Sequence, residues 1–230
     1  MKWKLKYVCS VLVSLIIAGC GWTPPWEKYY AKSYIAVYRG DPLKTYTYKN
    51  QYNVVFLSWG EGEDYAYDCE GNAKYIYQEL CVKHQDTECN RWFSDPYDPN
   101  SANKGGIVYW KDFVAIDVVS DRDFDTEHLA GSSLGDVVEY GGWSYWEYIK
   151  NNYTGREENY ISGYINNLPE DGLCLIKELF LYFNEVPESA VGKHNLTITI
   201  IADDGTVYEL ACPVELKTID EEDKFWQYYQ

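Results

Sequence analysis

Three stretches of this 230-residue chain bring together residue types able to do chemistry. Gly131-Ser132-Ser133-Leu134-Gly135 has the outline of a nucleophile elbow, G-x-S-x-G. An elbow needs a buried apolar strand directly before the serine and a helix after it. Here the preceding residues, Asp121 to Ala130, are acidic and turn-forming, and His194 is the sole histidine left to act as a base downstream of an acid. The pattern reads instead as a small-residue loop in which Ser133 caps the next segment, its oxygen accepting an orphan N–H. In the second stretch, Asp121, Asp123 and Asp125 offer alternate carboxylates to a hard cation. An EF-hand wants glycine at position 6 of its loop and glutamate at position 12, whereas Thr126 and Ser132 stand there. That leaves a looser calcium site with Glu127 or backbone carbonyls, against a simple turn whose aspartates bond nearby N–H groups. The expectation is a turn, with no metal and no cofactor.

The third stretch is Trp143-Ser144-Tyr145-Trp146-Glu147-Tyr148, in a chain with 9 Trp, 24 Tyr and 7 Phe. Flat aromatic faces with polar rims suit sugar rings or peptides, which makes Tyr145, Trp146 and Tyr148 the ligand-binding candidates. A helix through this segment would put Trp143, Trp146 and Ile149 on one side, as a core stripe does. Tyr145 and Tyr148 would then fall on another face, and at least one of them is expected to be exposed.

These stretches follow a leader. Lys2, Lys4 and Lys6 precede an apolar run from Val8 to Ile17, too short to cross a bilayer core of about 30 Å as a helix. The run ends in Ile17-Ala18-Gly19-Cys20, which resembles the lipobox of bacterial lipoproteins. That resemblance implies removal of residues 1–19 and acylation of Cys20, with several acyl chains giving stable anchoring. It also implies an outer-membrane address: Gly21 stands where an inner-membrane retention signal has Asp, and no acidic run follows Cys20, which favours the periplasmic face over the cell surface. Removing the leader takes three lysines and no acid, leaving 17 basic against 36 acidic residues and a charge of −19. Such a chain repels nucleic acid and anionic lipid, so its membrane contact is the acyl group at Cys20 alone.

Beyond the leader and Cys20 the cysteines are Cys69, Cys81, Cys89, Cys174 and Cys212. The compartment permits disulfides, and nearness in sequence favours Cys81–Cys89, although five cysteines admit many pairings. A zinc site from Cys81, His84 and Cys89 lacks both C-x-x-C and H-x-x-x-H spacing. Cys174 and Cys212 lie in apolar surroundings and read as buried thiols.

The elements that position these residues are mostly strands. Residues 20–33, with Pro24-Pro25, read as a tether, 34–217 as the ectodomain and 218–230 as an acidic, aromatic tail. Ser33 to Tyr38, Gln51 to Trp59, Ile107 to Val119 and Leu179 to Phe183 read as strands. Asn72 to Val82 reads as a short helix, and Ser133–Tyr140 and Trp143–Ile149 as short helical segments. Residues 94–106 form a loop around Asp95-Pro96 and Asp98-Pro99. Leu196 to Ile201 and Thr206 to Leu210 flank Asp203-Asp204-Gly205, a strong hairpin signal, and Val214 to Leu216 makes a final strand. The fold class is mostly β, an Ig-like β-sandwich with one or two short helices and long loops.

The strand Phe113 to Ser120, the acidic turn Asp121 to Asp125, the loop Ala130-Gly131-Ser132-Ser133-Leu134 and the ending Gly192 through Gly205 to Val214 resemble a Bacteroidetes lipoprotein family built around a domain of unknown function. The match covers roughly residues 107–217. It implies a β-rich sandwich and assigns no activity and no catalytic residue. The functional expectation is an envelope-anchored, non-enzymatic binding or structural lipoprotein, its partner a neutral glycan or an envelope protein. The alternatives are a glycan-binding accessory protein and a hydrolase using paired carboxylates.

Overall fold

A computed structural model describes residues 29–49, 51–59, 62–93 and 106–218. The leader, Cys20, Trp22 and Trp26, the 94–105 loop and the tail from 219 lie outside the described residues. In chain order the first strands are β1 (Tyr29–Ala31), β2 (Ile35–Arg39), β3 (Leu43–Tyr46), β4 (Val54–Trp59), β5 (Asp64–Ala66) and β6 (Arg91–Phe93). There follow β7 (Gly106–Tyr109), β8 (Phe113–Ser120), β9 (Val138–Ser144), β10 (Asn159–Tyr164), β11 (Ile176–Phe183), β12 (Gly192–Ala202) and β13 (Val207–Leu216). Helix α1 spans Gly71–Lys83 and α2 spans Trp146–Lys150.

Period-2 patterning builds the larger part. In β12, His194, Leu196, Ile198 and Ile200 are buried, while Lys193, Asn195, Thr197 and Ile201 point out, as a half-buried antiparallel strand requires. Gly205 at φ +83° allows the turn that returns the chain as β13, registered from Gly192↔Leu216 to Ile201↔Val207. β8 pairs on the other side of β12, giving the order β13-β12-β8. A second sheet runs β10-β9-β11-β4-β3. The two bury one shared core, in which Ile116, Val118, Ile198 and Leu216 meet Val55, Leu57, Val138 and Leu181. The molecule is therefore mostly β and sandwich-like, as the alternation in the sequence predicts.

At one end of this sandwich a smaller layer is added. β2 pairs antiparallel with β5 and parallel with β7, and β1 pairs with β6. β2 reads Ile-Ala-Val-Tyr with every residue buried, the near-continuous apolar run expected of a strand covered on both faces. Helix α1 lays Tyr77, Leu80 and Cys81, spaced i, i+3 and i+4, against this layer. It stops where Gln85 takes φ +57°, with Gln85 N–H donating to Val82 O and Asp86 N–H to Cys81 O, a Schellman ending without glycine. Asp86 then caps the start of β2, accepting from the N–H groups of Tyr34 (2.6 Å) and Ile35 (2.8 Å).

Ion pairs fasten α1 to the sandwich. His84 Nδ1 donates to Leu80 O, and Nε2 lies 3.0 Å from both Asp112 oxygens. Lys83 bridges Asp112 (2.7 Å) and Asp203 (2.8 Å). Next to it, Lys111 reaches Asp204 at 3.1 Å and Thr206 at 2.7 Å, and Asp41 accepts from Tyr109 and Tyr208.

Several expectations need correction. β1 falls inside the stretch 20–33 read as a tether. Residues 138–144 are strand β9, and only five residues, Trp146–Lys150, are helical where two helical segments are predicted. Ile107 to Val119 is two strands separated by a corner at 110–112. The Cys81–Cys89 bridge does not form, because Cys81 is a free thiol. Its side chain points into the contact between α1 and the sheet. The chain beyond is pinned to β2 by Asp86, and the Cys89 N–H donates to Lys32 O at 2.7 Å.

Candidate functional site

The opposite end of the sandwich carries a cleft of about 470 Å³. It forms where β9 begins and β10 and β11 end. The loop between β8 and β9 supplies Phe124, Asp125, Asp136 and Val137, and the segment after β11 supplies Asn184, Glu185, Val186 and Pro187. Glu139 and Tyr164, a registered pair on β9 and β10, complete the lining. Phe124 forms the floor, stacked on Phe183 at 5.5 Å. Its N–H donates to His128 O at 2.8 Å, which folds the acidic loop into a compact hook.

His128 clasps two cleft carboxylates. Nδ1 lies 2.9 Å from Asp125 Oδ1 and Nε2 lies 2.9 Å from Asp136. With acceptors on both sides, the hydrogen bond to Asp125 raises His128, burial opposes it, and with the bond to Asp136 added the imidazole stands above its ordinary value. Burial pushes Asp125 up, but the His128 ring and the N–H groups of His128 and Glu127 outweigh it, and the carboxyl sits below its ordinary range. Glu139 accepts from Tyr182 Oη (2.6 Å) and Asn184 Nδ2 (2.7 Å). Burial first, and then this carboxylate, raise the Tyr182 phenol far above its ordinary value. Glu185 is exposed. The lining thus holds four carboxylates, with neither lysine nor arginine, beside the half-exposed ring of Tyr164. Such a surface suits a cation with N–H donors.

The sequence-derived candidates lie elsewhere. Tyr145 and Tyr148 are buried, both against Tyr34 at 5.3 and 4.9 Å between ring centroids. Trp143 and Trp146 are the half-buried pair. This reverses the expectation, because residues 138–144 alternate as a strand and a helical face starts only at Trp146. Trp146 borders a small pocket of about 110 Å³ and carries Lys150 over its ring at 5.4 Å. Tyr145, Trp146 and Tyr148 therefore do not form a common ligand-binding face.

Asp121, Asp123 and Asp125 diverge. Asp121 accepts from the Asn195 backbone and side chain, Asp123 from Ala130 N–H, and Asp125 from His128. This is the turn reading, with each carboxylate occupied locally. Among the described residues no group of three ligating side chains converges on a cation position. Ser133 donates to Asp117 at 2.5 Å and accepts from Gly135 N–H, so it caps a turn rather than a helix. His194 is buried, bonded to Ser120 and to Ala190 O, and makes no pair with Ser133.

The cleft residues Asp136, Glu139 and Glu185, and His128 that holds two of the carboxylates, are not singled out by sequence. One local sign existed, the Asp125-x-x-His128 spacing. Glu139 and Glu185 meet only through the pairing of β9 with β11, where Glu139 faces Tyr182 and Val138 faces Phe183. Among the described residues no helix is long and apolar enough to cross a membrane. No protein-family model matches the chain, and neither a curated protein nor a solved structure does.

Proposed function

We propose that the chain is an envelope-anchored lipoprotein, held by an acyl group on Cys20, whose ectodomain has a non-enzymatic binding role. The cleft is its binding site and an organic cation its ligand class. The observation that carries this is the lining of Asp125, Asp136, Glu139 and Glu185 beside an aromatic ring, with no basic residue among them. The paired-carboxylate hydrolase is the less favoured reading. A glycosidase needs two carboxyl groups free to face one bond, whereas Asp125 and Asp136 are both tied to His128 and Glu139 is tied to Tyr182 and Asn184.

Two measurements test this. Cys20→Ala should abolish palmitate incorporation and move the protein out of the membrane fraction, and continued labelling would defeat the anchor. Calorimetric titration of the purified protein with spermidine should show binding that weakens with salt and is lost in a Glu139→Gln/Glu185→Gln variant. Spermidine affinity untouched by that variant would defeat the cleft.

A further inference from the structure

We infer that the loop between β8 and β9 is a pH-sensitive latch, closed while the His128 imidazole carries both ring protons and released when it loses the one facing Asp136. The inference concerns the clasp itself and holds whatever the cleft binds. Asp125 lies on one side of the ring, 2.9 and 3.0 Å from Nδ1, and Asp136 on the other, 2.9 Å from Nε2. An ionised carboxylate only accepts, and a neutral imidazole carries one N–H. Both contacts therefore exist together only in the cation.

Which contact fails on deprotonation follows from how the two aspartates are held. Asp125 Oδ1 also accepts from the N–H groups of Glu127 (2.8 Å) and His128 (2.7 Å), so the backbone fixes it against Nδ1. The Asp136 carboxylate has no second hydrogen-bond partner among the described residues, and its side chain is 62% exposed. Water replaces the imidazole there. The remaining proton stays on Nδ1, and the bare Nε2 lone pair repels Asp136.

Among the described residues, that bond is also the only side-chain hydrogen bond between the hook at 124–130 and the stretch 133–139 that enters β9. The hook keeps its internal bonds, Phe124 N–H to His128 O and Ala130 N–H to Asp123, but without its seam to β9 these open more often. The charges around the ring set the sign. Asp123 and Glu127 flank it in the loop, and Glu139 stands on β9. Glu185 and Glu188 follow β11, on the segment where Ser189 donates to Phe124 O. Arg122 reaches away to Lys193 O. The bond to Asp125 chiefly, with Asp136 added, holds His128 above its ordinary value against burial. A group raised in the folded state gives its stabilisation in full below its unfolded value, about 6.5, and loses it as pH rises through the folded one. The latch is closed below about pH 6.5 and opens on the alkaline side.

The test follows the free protein from pH 5 to 9 by NMR of the His128 ring nitrogens and by amide exchange, corrected for the intrinsic rate. The ring should pass from the cation to the Nδ1–H tautomer. Protection of the amides of 124–130 should fall about fivefold at the same midpoint, while that of β12 stays level. Asp136→Asn, a substitution of an exposed side chain, should lower the midpoint and leave the hook less protected at pH 6. His128→Gln should give a hook whose protection does not change with pH over this range. An Nε2–H tautomer in the neutral ring overturns the inference, because Asp136 is then retained. Hook protection that shows no step at the His128 midpoint, or an Asp136→Asn protein that titrates and exchanges like the parent, overturns it as well.

Discussion

Asp112 is buried beside His84 and Lys83, and its environment works in two directions. Burial raises the carboxyl, but the imidazole and then the ammonium more than offset that and hold it below its ordinary value. A carboxyl depressed in the folded state adds stability above its unfolded value near 3.9 and loses it as pH falls through the folded value. Asp112→Asn should therefore flatten the acid limb of the stability curve below about pH 4, as read by urea unfolding. Asp112→Ala, which strands the Lys83 ammonium and leaves the buried His84 Nε2 without its partner, should cost about 3–5 kcal/mol. Asp86 has the opposite sign, since burial lifts it above its ordinary value despite three donated hydrogen bonds. Its contribution is fully present below its unfolded value and fades as pH rises through the folded one. Cysteine chemistry follows the same logic. Burial pushes the Cys81 thiol up to about 11 and the Cys174 thiol up to about 12, and the thiolate is the reactive form. At pH 8 both should react with Ellman's reagent only on unfolding; rapid labelling of Cys81 in the native protein would contradict its placement.

At the scale of elements, the β12–β13 hairpin was legible because alternation and Asp204-Gly205 agree. α1 was legible as a short helix, read over Asn72 to Val82 and found over Gly71–Lys83. Residues 138–149 were misread for a definable reason. Gly141-Gly142 looks like a break between helical segments, yet both glycines lie inside β9 because neighbours crowd them. A Cβ on Gly142 would lie 2.2 Å from Glu178 O, on backbone that cannot move aside. One on Gly141 meets the Phe180 ring and the Tyr160 hydroxyl, side chains able to yield. Gly142→Ala should then cost more than Gly141→Ala, at least about 1–3 kcal/mol by thermal or urea unfolding. Equal stability of the two variants would count against the β9–β11 register. The cleft was beyond the sequence because no local pattern tells which strand end meets which loop; its lining comes from three separate stretches, 124–139, Tyr164 and 184–187.

For the whole molecule, charge limits the partners. The full chain carries −16, and the cleft concentrates that sign where four carboxylates face a single imidazole. Dextran sulfate and other anionic polymers should fail to bind even at low salt, and retention on such a matrix would contradict the charge argument. The two ends divide the labour. One end is closed by ion pairs between α1, the corner at 110–112 and the 203–206 turn. The other leaves carboxylates and tyrosines facing solvent.

The parallel pairing of β2 with β7 has a consequence for biogenesis. Val37 cannot complete its ladder until Ile107 has emerged, and Leu57 waits for Leu179. Strands made first are thus finished last: β2 can pair early with β5 and β4 with β3, but one edge of each stays open until β7 and β11 are made. Such long closures slow folding and expose sticky edges. The C-terminal hairpin, local and built on a tight turn, is the segment able to form early. A chain truncated before Gly192 should remain unfolded and aggregate, as read by light scattering after dilution from denaturant.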